Sequence, residues 1–504
     1  MYDSIIFTDT NQTHGVFKSI GAYKCAYILR RAGYTCLVID LATHFNKEEM
    51  STILQKCISN RTLFVGFSST FLYRKLTGSV ELLNLGAENE IQLVQQIKYL
   101  NKNCKIVLGG AQATEYISLK YVDYSVIGYA EFSILSLANH LRQGTPLENS
   151  HRNISGVVII DDRFGKGYDF ASSNFSWTEF DISSCKVLPI EISRGCIFRC
   201  KFCSYPMNGK NQLDFMRSEE ALYTELQSNY DMFGIQEYSF IDDTFNDNDF
   251  KLDMMLRVVG RLTFKPRFWA YLRLDLISSR PGSIDKLYDI GLRSTYFGIE
   301  TLNKKTGLII GKGYDRSKQI ETLNQIRNKF GNEIITHGSF IVGLPGESVE
   351  SIKSSHAALL SGDIPLHSYI FSGLGIYKSS TAANMSDISK NYPAFGYEEI
   401  PNSPNTGLVN WKNEHMTSQE ANVLATHFNK TGYDSGKFYL SGQAATGLRN
   451  IGYSSEELHN TKFNEFDWSE ADLRKDNFIA AYKEKLNKHI DLDLYSQVCY
   501  NTVS

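Results

Sequence analysis

Three cysteines, Cys196, Cys200 and Cys203, fall within eight residues of the stretch EISRGCIFRCKFCSYP, residues 191–206. The other six, at 25, 36, 57, 104, 185 and 499, are scattered as reduced thiols buried like small hydrophobes would be. Thiolates bind soft metals, and a C-x3-C-x2-C loop can wrap a compact metal centre, with an iron–sulfur cluster as the leading reading. A structural zinc site needs four ligands, and Cys185, eleven residues before Cys196, is available as the fourth. Three unmetallated buried thiols are a third reading. Arg194, Arg199 and Lys201 speak against it, because positive neighbours favour thiolates and offset the charge of a cluster.

The elements around this stretch predict an α/β chain. From residue 187 the strand-like runs VLPIEIS, EYSFIDD, FWAYLRLD, STYFGIE, THGSFIVGLPG and SYIFSGLGIY alternate with helical patterns. Six such repeats predict a partial (β/α)6, TIM-like barrel over 186–385, with its reactive groups at the carboxyl ends of the strands. The cysteines directly follow the first strand. An earlier series, from SIIFTD to EFSILSLANHLRQG, predicts a doubly wound, Rossmann-like domain over 1–150, with Gly33 as a helix C-cap. Ligands of such sheets gather beyond the strand ends, here around Asp9, Ser68, Gly109 and Gly128. Residues 151–185 read as a hairpin, GVVIIDDRFGKGY, and a Ser-rich linker. Residues 386–504 read as a mostly helical third region.

At 504 residues the chain fits several domains, and its net charge of −3 offers no basic footprint for nucleic acid. MYDSIIFTDTNQTHG lacks a signal-peptide pattern, and no apolar run approaches the ~20 residues of a membrane span. These features predict a cytoplasmic protein without membrane partners.

C-x3-C-x2-C after the first strand of a βα barrel resembles the radical SAM superfamily. The resemblance implies that Cys196, Cys200 and Cys203 hold three irons of a 4Fe-4S cluster whose fourth iron is open to S-adenosylmethionine. One electron then cleaves the S–C5′ bond, giving methionine and a 5′-deoxyadenosyl radical. Later segments match in order: FIDDTFN (240–246), YLRLD, YFGIE (296–300) and GSFIVGLPGE (338–347). They imply S-adenosylmethionine contacts at Phe202, Asp242, Arg273, Glu300 and Gly343. Other roles stay open for two of these positions, local packing for Phe202 and an Arg273–Asp275 surface pair, and turn chemistry alone could explain Gly346 of the same glycine motif. For Asp243 the alternative is a helix N-cap.

The doubly wound domain in front resembles that of the cobalamin-binding class of the superfamily. The resemblance implies that Ser68, Ser69 and Thr70 lie near the nucleotide tail, and that Gly109 and Gly110 let it pass close to backbone. The D-x-H-x-x-G signature is absent; DTNQTHG stands in its place, leaving His14 as a cobalt ligand or a surface histidine. GYAE replaces GEGE and keeps Glu131 at a helix start. The implied activity is cobalamin-dependent methyl transfer to an unactivated centre of a small molecule, served by an electron donor such as flavodoxin or ferredoxin. Three alternatives remain: ring formation or rearrangement, a radical SAM enzyme without cobalamin, and a zinc-stabilised binding protein. Methylthiolation is disfavoured, since Cys25, Cys36, Cys57 and Cys104 lie on helix or strand patterns and form no second trio. VNWKNEHMTSQEA (409–421) resembles a segment that follows some cobalamin-type barrels, with Trp411, His415 and Met416 as functional or packing residues.

Overall fold

The computed structural model describes residues 2–10, 12–69, 83, 85–110, 113, 121–148, 150–152, 156–162, 167–182, 185–205, 215–313, 315–378, 385–401 and 408–501, without the side chains of 87 and 494–501. Thr70 and the predicted hairpin tip at 163–166 lie outside them. The chain divides into two compact units, residues 1–169 with 469–504 and residues 170–468.

The first unit is built on a seven-stranded sheet of β1 (Ser4–Phe7), β2 (Cys36–Ile39), β3 (Phe64–Ser68), β4 (Lys105–Gly110), β5 (Tyr124–Gly128), β6 (Ser150–Arg152) and β7 (Val158–Asp162). Their spatial order is β2-β1-β3-β4-β5-β7-β6, all parallel except β6 against β7. This is the doubly wound arrangement expected, and its order reverses between β1 and β3, the switch point at which ligands of such sheets bind. Local chemistry agrees: Asn46 and Glu49 form a capping box on helix Lys47–Cys57, and Gly33, at φ 83°, ends helix Ile20–Arg31.

Three expectations are corrected. The hairpin lies earlier, pairing 150–152 with 158–162, and belongs to the first sheet, so the unit runs to 169 rather than 150. The segment 170–185 is no free linker: Phe175, Trp177 and Phe180 cluster, and buried Arg217 donates to the Ser173 carbonyl at 3.0 Å. Nor do residues 386–504 form a third body. The stretch to Trp468 belongs to the barrel unit, while helix Trp468–Asn501 packs on the first sheet's unit, through Lys483–Glu49 (2.7 Å) and Tyr482 Oη accepting from Asp40 N (2.7 Å).

The second unit is a six-stranded parallel sheet in chain order: β8 (Val187–Ile190), β9 (Glu237–Phe240), β10 (Arg267–Leu272), β11 (Leu292–Glu300), β12 (Ile335–Val342) and β13 (Ser368–Gly373). Its end strand β13 is protected. Asn429 of helix Ser418–Asp434 donates to Phe371 O (2.9 Å) and accepts from Phe371 N (2.8 Å), satisfying backbone groups that an edge would leave free. At the amino end of the strands, Asn450 accepts from the amides of Lys186 and Val187, both at 2.8 Å. The polar tail of the sequence thus closes the edge and the floor of the barrel.

Candidate active site around the cysteine loop

The loop after β8 is anchored from below by buried charge. Asp242, at the carboxyl end of β9, accepts from Ile192 N (2.8 Å), Ser193 N (3.0 Å) and Ser193 Oγ (2.7 Å). Lys251 donates to Ser193 Oγ (2.9 Å) and pairs with Asp242 (3.3 Å) and Asp247 (2.9 Å), all three side chains at most 1% exposed. Burial alone would lower the Lys251 pKa; the two carboxylates outweigh it and hold the ammonium above its usual range. Asp242 therefore positions the loop. Its expected contact with S-adenosylmethionine is not what the structure builds, because both carboxylate oxygens are already taken. The N-cap alternative for Asp243 also fails, since Asn248 caps the helix that follows.

The three thiols are half-buried. Thr244 Oγ1 lies 3.4 Å from Cys196 Sγ, and Arg273 Nη1 donates to Cys200 Sγ at 3.0 Å. The rest of the Arg273 fork holds Asp275, at 3.0 and 2.5 Å, and its guanidinium stacks 4.0 Å from the Phe198 ring. The pair foreseen with Asp275 exists, but it is buried. Arg273 thus belongs to the site as a donor to sulfur, with no free fork for a carboxylate. Burial pushes the Cys203 thiol up to about 12, and Cys200 and Cys196 push the same way; burial also raises Cys196. A multivalent metal centre reverses that balance by making thiolates favourable. Three adjacent thiols with a guanidinium on one sulfur fit an iron–sulfur cluster. They do not fit zinc. Cys185 is buried before β8, at the far end of a four-residue strand about 13 Å long, and among the described residues no three His, Cys, Asp or Glu side chains converge on one ion.

Glu300 closes β11 after a break in register at Gly298/Glu300, with φ 68°. A non-glycine residue held in that region stores roughly 1–3 kcal/mol and flags a functional position. Its carboxylate meets Lys312 Nζ at 2.9 Å, both side chains 9% exposed. Gly298 makes room: a Cβ there would lie 2.6 Å from Lys312 Nζ and 2.7 Å from Glu300 Oε1. Lys312 also sits 5.9 Å from the Phe202 ring, so Glu300 and Phe202 share one neighbour beside the cysteine loop. The sequence reading missed Lys312. Its only signal was a lysine between two glycines after LII, and the short helix Lys304–Ile309 that carries it there has no clear periodicity.

Thr301, next to Glu300, donates to Glu347 at 2.8 Å, and Ser351 donates to the same oxygen at 3.3 Å. Burial pushes the Glu347 pKa up to about 7, with both hydroxyls opposing. Its folded pKa lies above the unfolded value, so the native state binds the extra proton. That stability is complete below pH ~4.5 and declines as pH rises to about 7, by roughly 3 kcal/mol in all. Denaturant titrations at pH 5 and pH 8 should show a fall in wild type that Glu347→Gln lacks; equal slopes in the two proteins would refute the assignment.

Above the floor of the barrel, Tyr271 and Tyr296 meet edge to face at 5.1 Å, and His337 lies 4.8 Å from Tyr296. Burial lowers the His337 pKa to about 4 and raises that of Tyr271 to about 12, so this face is uncharged at neutral pH.

Gly343 needs another explanation than ligand approach. It has φ 93°, and a Cβ there would lie 2.4 Å from Trp411 Cη2. Tyr397 Oη donates to its carbonyl at 2.7 Å. Trp411 and Met416 are buried packing residues, and His415 stands 3.9 Å from Glu414. Gly343→Ala is expected to cost about 2–4 kcal/mol from strain and overpacking, read as a lower denaturant midpoint. An unchanged midpoint would mean that Trp411 yields freely.

In the first unit, Ser69 donates its amide (2.6 Å) and hydroxyl (2.8 Å) to Gly109 O, tying β3 to β4. Ser68 and Gly109 pair in register, Gly110 has φ 119°, and among the described residues nothing lies within 4 Å of a Cβ placed on Gly109. Ser69 is thus structural. His14 is engaged by Asp472 of the last helix at 3.1 Å, which favours its surface role. Glu131 begins helix Glu131–Gln143 as expected. Cys36 and Cys57 are buried within a strand and a helix, and Cys104 lies one residue before β4 rather than within it.

A parallel (β/α)6 sheet with C-x3-C-x2-C at the end of its first strand defines a radical SAM domain, and residues 190–359 match the Radical SAM superfamily. Those residues form a radical SAM domain. The chain is 27% identical over 278 residues to an uncharacterized methyltransferase, PH0819, of Pyrococcus horikoshii, covering 51% of this chain and 58% of the relative. It is 24% identical over 173 residues to a tRNA-2-methylthio-N(6)-dimethylallyladenosine synthase of Natranaerobius thermophilus, covering 33% and 38%. The chain thus spans well under two thirds of the length of either. Among solved structures, the radical S-adenosylmethionine methyltransferase TsrM of Kitasatospora setae, with cobalamin and a [4Fe-4S] cluster bound, superposes with TM-score 0.58 at 17% identity, over 80% of this chain and 76% of that one. The cobalamin-dependent S-adenosylmethionine radical enzyme OxsB, with aqua-cobalamin and S-adenosylmethionine bound, gives 0.63 at 13% identity, over 99% and 81%. Both likenesses show a shared fold.

Proposed function

We propose that this protein is a cobalamin-dependent radical SAM methyltransferase acting on an unactivated centre of a small molecule. The observation that carries the reading is the half-buried Cys196/Cys200/Cys203 trio at the carboxyl end of β8, with Arg273 donating to one sulfur and Glu300–Lys312 beside it. When bound, a cluster and S-adenosylmethionine supply one-electron cleavage of the S–C5′ bond. The chain's own residues hold the thiols (Asp242, Lys251), compensate negative charge (Arg273, Lys312) and present an uncharged Tyr271/Tyr296/His337 face to substrate. Exclusion of water by that face keeps a radical from side reactions. In the first unit, Ser68, Gly109 and Gly110 would hold a corrinoid at the switch point, as support from fold and position. A reducing cytoplasm suits its free cysteines, and among the described residues no helix is long and apolar enough to cross a membrane.

Anaerobic reconstitution with iron and sulfide tests the first part. The expected result is a cluster whose EPR signal changes on adding S-adenosylmethionine, with release of 5′-deoxyadenosine under dithionite. Added hydroxocobalamin should remain with the full chain through gel filtration. A protein that forms the cluster but retains no corrinoid would sink the cobalamin half alone.

A further inference from the structure

We propose that the surface formed by Leu308, Ile309 and the basic side chains around them is the docking site for an acidic, low-potential one-electron carrier protein that reduces the thiol-held centre. The inference rests on the radical SAM reading of the cysteine loop.

Leu308 is 65% exposed and Ile309 37%, neighbours at the end of helix Lys304–Ile309. Exposed leucines are common singly, but these two immediately precede the segment that meets the cysteine loop. Lys201 N donates to Ile310 O at 3.0 Å, and a Cβ on Gly311 would stand 4.0 Å from Cys200 Cα. The segment after the helix therefore lies along the cysteine loop itself.

Charge supplies the partner's character. Lys304, Lys305 and Arg199 are exposed. Lys201 and Lys390 both act on Asp387, with Lys201 Nζ at 2.8 Å and Arg199 adding to the same field. Asp315, 3.8 Å from Lys304, is a further carboxylate at this rim. These five cations, of which Lys201 and Lys304 face Asp387 and Asp315, give this rim a basic character on a chain whose net charge is −3. An apolar centre with a charged rim is the anatomy of a transient interface, and the rim's sign selects an acidic partner and speeds encounter. At the contact the carrier's reduced centre loses one electron to the site held by Cys196, Cys200 and Cys203; no bond forms or breaks.

The test uses the full reconstituted chain, a purified acidic flavodoxin as reductant, and dithionite as a small reductant that needs no docking. In Lys304→Glu/Lys305→Glu and in Leu308→Asp, flavodoxin-driven 5′-deoxyadenosine release should fall at least about tenfold, and dithionite-driven release should stay within about twofold. Flavodoxin binding to the wild type, followed by biolayer interferometry, should weaken with salt, more steeply than for the double charge reversal. Unchanged flavodoxin binding and unchanged flavodoxin-driven release in both variants would overturn the docking surface while leaving the radical SAM reading intact. Failure of wild type to assemble a cluster, or to cleave S-adenosylmethionine under dithionite, would instead overturn the underlying reading and this inference with it.

Discussion

Cys200→Ala is expected to lower S-adenosylmethionine cleavage at least roughly a thousandfold, about 4 kcal/mol of barrier, and to reduce the iron and sulfide retained after reconstitution. The thiol cannot be replaced locally. Thr244 and Arg273, which face the cysteine sulfurs, offer a hydroxyl and a guanidinium, neither of them a soft anionic ligand. Stability should change little, because the loop is held by Asp242 and Lys251 rather than by its thiols. The informative control is Cys185→Ala. That thiol lies at the opposite end of β8, so this variant should keep its cluster and its cleavage activity. Loss of metal in Cys185→Ala as well as in Cys200→Ala would restore the four-thiol zinc reading and remove the enzyme.

Lys251→Met is expected to be the most destabilising single change at the site, costing about 3–5 kcal/mol, because it leaves buried carboxylates without their cation. Asp242 and Asp247 both face Lys251 Nζ, and neither side chain is more than 1% exposed. Ser193 Oγ and Thr244 O would also lose a donor. Since Ser193 begins the cysteine loop and Thr244 faces Cys196, the damage should reach the metal site as slower or incomplete cluster assembly. Urea denaturation of the wild type, Lys251→Met and Lys251→Met/Asp242→Asn gives the test. The double variant should recover part of the loss, since one unpaired charge is gone. If Lys251→Met unfolds at the wild-type midpoint, the buried triad contributes nothing to holding the loop.

The parts of this molecule that were legible in the sequence are those with short, periodic or chemically costly signals. Both parallel sheets could be read because buried parallel strands are apolar runs between helical patterns, as in TCLVIDL and LFVGFSS. The cysteine trio could be read because thiol spacing on a loop has few other uses. Side-chain commitments were less visible. FIDD shows two carboxylates, but not that the first is used up by two amides, a hydroxyl and Lys251. YLRLD shows Arg273 and Asp275, but the third partner, Cys200, is 73 residues away in sequence. Gly343 was placed on the right turn for the wrong reason, since the indole that demands a glycine comes from Trp411. Lys312 was lost because a tertiary ion pair leaves no local pattern. The boundary errors have the same origin: strand β7 and the last helix join the first unit through pairings that no window of adjacent residues contains.

That last helix also has a temporal meaning. The first unit is assembled from residues 1–169 and 469–504, with the whole of the barrel unit encoded between them. At a synthesis rate of about 5–20 residues per second, roughly 15–60 s separate the emergence of its two parts, time enough for the barrel to fold first. Until then the nascent sheet lacks Tyr482 against Asp40 and Lys483 against Glu49. The order of the gene makes the cysteine barrel the early product of translation and completion of the front unit a late event, so a premature stop after residue 468 would release a finished barrel beside an unfinished sheet.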